Sequence, residues 1–215
     1  MGLGRIPKYT FSNPSSGTPR EVKEWNKRLE STKHILNHLE YYYSEEWEVF
    51  GYVVGGVPIG ILAMENIEPN EGFGIKENCT MIHYLVTHPG SSAAGAILVE
   101  FAVNYSERSG LNGAVALHSL DGEATRFYRS LGFIEIKKGL TEDDPVMQLN
   151  PFKSAEWVKQ DKNVWRLKRY VGQESYMGSR REMDAYRWQT KPPIFRIKND
   201  FASREMLKNL EGWEL

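Results

Sequence analysis

Apolar residues recur along the chain at two different spacings, and Gly, Pro or Ser residues mark where the spacing changes. Steps of three and four residues over 18–43 predict one long amphipathic helix, because that spacing keeps apolar side chains on one helix face. Thr18 as a cap and Pro19 as the first helical residue mark its start. Over 47–64, aromatic and β-branched residues flank Gly55-Gly56, which predicts a β-hairpin.

The pattern is strongest between Met81 and Phe133, where strand and helix periods alternate. The predicted elements are, in order, a strand over 79–87 that His88-Pro89 stops, a turn at 90–95, a helix that ends near Ser109-Gly110, a strand at 115–117 and a helix that ends at Leu131-Gly132. Strands and helices in this alternating order are typical of α/β folds.

The turn Gly90-Ser91-Ser92-Ala93-Ala94-Gly95 has almost no side-chain bulk. A ligand can therefore come close to bare backbone N–H groups at the N-terminus of the helix that follows. Such N–H groups, together with the positive end of the helix dipole, favour phosphate or another anion.

Two segments on either side of this turn carry motifs. Leu85 to Pro89 follows the pattern L-x-V-x-P, with Thr87 where Val is usual. Residues 121–133 follow N-x-x-A-x-x-L-Y-x-x-x-G-F at its Ala, Tyr, Gly and Phe, with Asp121 in place of Asn. Together these segments resemble the GNAT superfamily of acyl-CoA-dependent N-acyltransferases. The turn is shorter than that family's Q/R-x-x-G-x-G/A loop and has Ser92 where Gln or Arg is expected.

The resemblance implies a fold class and a division of the chain. The expected fold is α/β, with a GNAT-like central mixed, mostly antiparallel sheet and helices on both faces, over residues 18–150. Residues 1–17 are rich in Gly, Pro and Ser and are expected to form a flexible N-terminal arm. Residues 151–215 are expected to form an α-rich C-terminal extension.

The extension is basic and contains several tryptophans, with 14 Lys and Arg residues against 9 Asp and Glu residues. Its pattern predicts a helix that Ser154 caps, a short strand over 194–197 and a final helix that Asp200 caps. Basic residues interleaved with aromatic ones are typical of surfaces that bind RNA or a protein. The other interpretation is that the tryptophans hold the extension on the rest of the chain while the basic residues face water.

Charge and cysteine content limit the classes of function. The formal net charge of −1 indicates no particular partner, and a single cysteine, Cys79, excludes an internal disulfide and thiolate-rich metal sites. His34 and His38 lie one turn apart on the first predicted helix, but without a third ligand they are expected to be surface residues. The chain has no apolar run of membrane-spanning length, so a cytoplasmic protein is expected.

The resemblance also implies acetyl-CoA as the acyl donor, and no metal. Backbone groups of Leu85, Val86 and Thr87 would pair with the pantetheine arm, and one of their N–H groups would polarise the thioester carbonyl. The phosphate-bearing end would lie over the amides of Ser92, Ala93, Ala94, Gly95 and Ala96, and Asp121 and Tyr128 would complete the cofactor-binding residues.

Three side chains are candidates for the chemistry itself. By the resemblance, Tyr128 would protonate the departing CoA thiolate; the alternative is that it only packs its helix on the sheet. His83 is the first choice for the base that deprotonates the amine, since imidazole titrates near neutral pH. His118, from the neighbouring strand, is the second choice. Either histidine could instead be structural.

The predicted function is therefore an N-acetyltransferase that moves an acetyl group from acetyl-CoA to a primary amine by direct attack in a ternary complex. One alternative is a GNAT-type toxin or effector that acetylates a macromolecule, aminoacyl-tRNA or a protein lysine, docked on residues 151–215. The other alternative is a catalytically inactive binding module, which the altered turn suggests. A homodimer is also among the expectations.

Overall fold

The computed structural model describes residues 18–42, 44–54, 57–89, 94–139, 144–160, 163–170 and 194–197. Three α-helices lie in these ranges: α1 (Pro19–Tyr42), α2 (Ala94–Arg108) and α3 (Gly122–Ser130). The strands of these ranges are β1 (Glu48–Val54), β2 (Val57–Ile67), β3 (Cys79–Thr87), β4 (Val115–His118), β5 (Ile134–Lys137), β6 (Val146–Leu149), β7 (Trp157–Gln160), β8 (Val164–Leu167) and β9 (Ile194–Ile197).

Seven strands form one sheet in the order β5-β6-β4-β3-β2-β1-β9, and β7 pairs with β8 in a second, two-stranded sheet. The β3–β4 pair is parallel. The pairs β1–β9, β4–β6, β5–β6 and β7–β8 are antiparallel. The expectation of an α/β fold with a mixed, mostly antiparallel sheet is confirmed.

The described residues fall into two compact units. The first takes its residues from Met1–Ala63, Tyr84–Gly95 and Glu174–Leu215, and the second from Met64–His83 and Ala96–Gln173. The first unit contains a core of Val49, Ile61, Ala63 and Val86, against which Ile35, Leu36, Trp47 and Tyr84 pack. The second contains a core of Ile75, Cys79, Met81, Ala114 and Ala116, with Ile67 and Ile136 packed against it.

Helix α1 begins at Pro19, as the sequence predicts, and two of its side chains hold it to the end of β3. Thr32 donates a hydrogen bond from its hydroxyl to the Thr87 carbonyl at 3.1 Å, and Arg28 donates one to the Pro89 carbonyl at 3.3 Å. These contacts fix the strand end that leads into the small-residue turn.

Strands β2 and β3 are neighbours in the sheet, and two contacts join them near the end of β3. His83 and Glu65 are joined by their side chains, which places two odd-numbered residues on the same face. Further along, the His88 N–H bonds the Ile59 carbonyl, which pairs an even-numbered with an odd-numbered residue. Both contacts hold β3 and the residue after it beside β2, where the chain leads into the small-residue turn.

The predicted helix from Ser154 is wrong, because this segment forms the β7–β8 hairpin. Trp157 pairs with Leu167, and Gln160 pairs with Val164. Burial alternates along β8, with Trp165 and Leu167 buried, as expected for a strand rather than a helix. The turn residue Asn163 has a positive φ of 59°, a conformation that Asn tolerates well.

The predicted strand at 194–197 is confirmed as β9, which pairs with β1 at one edge of the large sheet. The predicted arm at 1–17 and the predicted helix from Asp200 lie outside the described residues. The domain boundary expected at residue 150 stays a prediction. Within the described ranges, no helix combines the length and hydropathy that crossing a membrane requires.

Candidate active site

Two residues of the 121–133 motif mark the ends of helix α3: Asp121 at its start and Gly132 after its end. Asp121 has an extended backbone, and its Oδ1 accepts hydrogen bonds from the N–H groups of Glu123 at 2.8 Å and Ala124 at 2.7 Å. This is the contact that an N-cap residue makes with a helix start. At the other end, Gly132 has a φ of 90°, which favours glycine. The carboxyl group of Asp121 thus caps the helix; its predicted contact with the cofactor stays a prediction.

Gly132 and Gly110 form a matched pair for testing this helix end. Both have positive φ, 90° and 79°, but a Cβ at Gly132 would overlap the hydroxyl of Ser154, whereas a Cβ at Gly110 has nothing within 4 Å. We expect Gly110→Ala to lower the free energy of unfolding by about 1 kcal/mol through backbone strain alone. Gly132→Ala should cost roughly 2–3 kcal/mol, because it adds overpacking. Urea unfolding measures both, and equal losses would show that Ser154 simply rotates away.

Tyr128 lies on α3 with its side chain buried. Its ring packs against Phe127 and Phe133, with ring centroids 5.1 and 5.4 Å away. Burial, and secondarily the nearby charge of Asp121, raises the pKa of the phenol above its ordinary value. The hydroxyl therefore keeps its proton at neutral pH and can serve as a hydrogen-bond donor. The structure shows the packing role, and the catalytic role of Tyr128 stays a prediction.

His83 and Glu65 form a side-chain pair across β3 and β2. The Nε2 atom of His83 lies 2.7 Å from Oε1 of Glu65, and each side chain is about a quarter exposed, at 24% and 23%. Sequence reasoning missed Glu65. The available signal was a carboxylate in the largely apolar strand β2, but identifying its partner required the pairing of β2 with β3.

His118 ends β4 and is the more exposed of the two candidate bases, with 42% of its side chain accessible. Its Nε2–H donates to the backbone carbonyl of Asp144 at 2.6 Å, while the carboxylate of Asp144 lies 3.9 Å away. The ring is thus oriented mainly by a neutral carbonyl, and the other ring nitrogen, Nδ1, is the one that can act as a base.

The predicted pantetheine residues lie at the end of β3. Val86 is buried in the core of the first unit, and Leu85 and Thr87 are half-buried. His88 follows them in a buried position, and burial lowers its pKa, which keeps this imidazole neutral. The pairing of β3 with β4 covers Thr80 to Ile82, whereas β3 itself continues to Thr87.

The predicted phosphate-binding residues are only partly described. Ser92 and Ala93 lie outside the described residues. Ala94, Gly95 and Ala96 form the first turn of α2, which contains no acidic residue. A helix start without carboxylates is compatible with an anion, because nothing there repels it.

Neither a metal nor a cysteine nucleophile is indicated by the residues that the structure describes. Among these residues, no group of three or more His, Cys, Asp or Glu side chains could hold a metal ion. Cys79 is buried, and burial, with a smaller contribution from Glu77, raises its pKa to about 12. The thiol is therefore protonated at neutral pH and is a poor nucleophile.

Comparisons with known proteins found no matching family model and no matching curated protein. Among solved structures, AtaTR bound with AcCoA is 17% identical, over 53% of this chain and 77% of that chain, with a TM-score of 0.42. The PaiA N-acetyltransferase from Thermoplasma acidophilum, in complex with coenzyme A, is 16% identical over 67% and 89%, with a TM-score of 0.39. An acyl-CoA N-acyltransferase from Pseudomonas aeruginosa is 22% identical over 62% and 93%, with a TM-score of 0.37. At these scores the function has to be argued from the chain's own residues.

Proposed function

We propose that this chain is a GNAT-type N-acetyltransferase that transfers an acetyl group from acetyl-CoA directly to a primary amine. The observation that carries the proposal is the parallel β3–β4 pairing, which ends at Ile82 and Leu117 while β3 continues to Thr87. A strand that extends beyond the last residue paired with its neighbour presents backbone N–H and C=O groups with which an extended ligand can pair. The pantetheine arm, with its two amides, is such a ligand for Leu85, Val86 and Thr87.

The small-residue turn and the start of α2 form the proposed binding site for the phosphates at the nucleotide end of the cofactor. The first turn of α2 holds Ala94, Gly95 and Ala96, which have little side-chain bulk, and no acidic residue. In this proposal their N–H groups, with those of Ser92 and Ala93, bind the CoA phosphates through the helix dipole. Ser92 supplies no cationic clamp, so the backbone carries this contact.

The chemistry uses one base and two hydrogen-bond donors. The amine nitrogen attacks the thioester carbonyl, a backbone N–H of the Leu85–Thr87 segment stabilises the oxyanion, and the C–S bond breaks. The proton leaves the amine nitrogen for His83 and finally reaches the CoA sulfur. Because the pKa of the Tyr128 phenol is raised, this hydroxyl stabilises the departing thiolate chiefly by donating a hydrogen bond.

Direct attack by the amine is favoured over a covalent acetyl-enzyme. Cys79 is the chain's single cysteine, and its pKa of about 12 leaves almost no thiolate at neutral pH. An acetyl group is thus expected to pass straight from the thioester to the amine, with both substrates bound at once.

A small amine is favoured over a macromolecule docked on the hairpin of the extension. Trp157 donates to the Leu131 carbonyl at 2.7 Å, and Trp165 donates to Glu107 at 2.9 Å, both from buried positions. Lys159 pairs with Glu107, and Arg166 with Glu100. These aromatic and basic side chains are used within the chain, so the described part of the hairpin, residues 157–160 and 163–167, offers neither tryptophan as a stacking surface for RNA.

Calorimetric titration of acetyl-CoA into the purified chain tests the proposal first. We expect micromolar binding, and release of free thiol when a panel of small primary amines is added. Acetyl-pantetheine, which lacks the nucleotide phosphates, should bind more weakly but still be turned over, because it keeps the arm that pairs with β3. A folded chain that binds no acetyl-CoA would overturn the proposal in favour of a binding module without this chemistry. Location in the cytoplasm and a homodimer stay predictions.

A further inference from the structure

The His83–Glu65 pair determines more than the position of a base. The 2.7 Å contact joins Nε2 of the ring to a carboxylate oxygen. An ionised carboxylate has no proton to give, so the ring nitrogen that faces it must carry the hydrogen. In the neutral imidazole, the lone pair is then on Nδ1.

We infer that Glu65 is a positioning residue that holds His83 in the Nε2–H tautomer and stabilises the imidazolium formed when Nδ1 takes the amine proton. In that step the amine N–H bond breaks, the Nδ1–H bond forms, and the nitrogen lone pair becomes the new N–C bond. The positive ring then faces the negative carboxylate of Glu65. This inference rests on the proposed function, which it deepens by assigning the proton-accepting atom.

The comparison with His118 favours His83 for this role. His118 donates to a neutral carbonyl at 2.6 Å, and the nearest carboxylate oxygen of Asp144 is 3.9 Å away. A carbonyl orients a ring, but it stabilises a developing positive charge less than a carboxylate in direct contact does. His83, only 24% exposed, is also better shielded from the water that would weaken the charge interaction.

Nitrogen-15 NMR of the histidine rings tests the tautomer without requiring any activity. The chain has five histidines, and the signals of His83 are those that disappear in His83→Gln. In the wild type, neutral His83 should be protonated at Nε2 and unprotonated at Nδ1. In Glu65→Gln, whose amide can also donate, a population protonated at Nδ1 should appear. A wild-type His83 protonated at Nδ1 would overturn the inference.

Kinetics then test whether the pairing matters for the reaction. Glu65→Gln should lower kcat by about 10- to 100-fold with KM within about twofold, as for other groups that orient a reacting residue. Glu65→Asp, which keeps the charge, should recover part of the loss. Thr80→Val is the matched control, since it removes a neighbouring β2–β3 side-chain bond, the 2.8 Å contact of Thr80 with Asn66. Its kcat should stay within about twofold of wild type.

The two proposals fail in different ways. A wild type that releases no thiol defeats the proposed function, while the tautomer measurement still reports on Glu65. A wild type that is active, with Glu65→Gln showing wild-type kcat, defeats the positioning role alone.

Discussion

Tyr128→Phe is expected to lower kcat by about 10²- to 10³-fold, the usual effect of removing one hydrogen-bond donor from a charge that develops in the transition state. The substitution removes only the hydroxyl, and the ring keeps its packing against Phe127 and Phe133 at 5.1 and 5.4 Å. The hydroxyl is proposed to donate a hydrogen bond to the departing sulfur, whose negative charge develops as the C–S bond breaks in the transition state. The loss should therefore appear in kcat, while the affinity for acetyl-CoA stays within about threefold. Thiol release and calorimetry measure the two quantities.

Phe127→Leu provides the control for packing around Tyr128. It alters the aromatic contact at 5.1 Å but leaves the hydroxyl in place. We expect it to lower the free energy of unfolding by about 1–2 kcal/mol and to leave kcat within about threefold. If Tyr128→Phe keeps wild-type kcat, the tyrosine is a packing residue and its hydroxyl does not stabilise the thiolate.

Asn104→Ala on α2 is expected to lower the free energy of unfolding by about 2–4 kcal/mol. The Asn104 side chain is buried and accepts from the Trp165 N–H at 2.8 Å while donating to the Trp165 carbonyl at 3.0 Å. It thus satisfies both backbone groups of one residue of β8, as a neighbouring strand would. Alanine would remove this acceptor from the buried Trp165 N–H and leave the Trp165 carbonyl with only the 3.4 Å contact from Arg166, which is costly.

Asn70→Ala is the matched control, because its side chain also bonds a backbone N–H, that of Phe73 at 3.2 Å, but from an exposed loop. Water can replace that bond, so the expected loss is about 0.5–1 kcal/mol. Urea unfolding of both variants measures the difference. A loss for Asn104→Ala no greater than that for Asn70→Ala would mean that the Asn104 contacts do not stabilise the attachment of the β7–β8 hairpin to α2.

Glu107 strengthens the same attachment of the hairpin to α2. Burial acts to raise the pKa of this carboxyl. The hydrogen bonds from Lys159 and Trp165 act to lower it and together outweigh burial, so the pKa lies below its ordinary value. A carboxylate with a lowered pKa stabilises the fold above its unfolded-state pKa, and that stabilisation is lost as the pH falls through the folded-state value. The hairpin is therefore held most firmly near neutral pH.

Short-range signals predicted the elements whose determinants lie within a few residues. Pro19 as a helix start, the strand over 79–87 and the glycine after α3 all follow from capping, periodicity and backbone freedom, which act locally. The hairpin at 157–167 was missed because strands of four residues are too short to separate an alternating period from a helical one. Its basic residues also gave a helix-like spacing.

The sequence by itself determined which side chains are available for the chemistry: a tyrosine in a capped helix, a histidine within a strand and a turn free of bulk. Only the tertiary structure decided what those side chains face. Glu65 lies 18 residues before His83, and Asn104 lies 61 residues before Trp165, and each pair meets through strand register or helix packing. No local rule specifies such contacts, because they depend on how distant segments bury their apolar surfaces together.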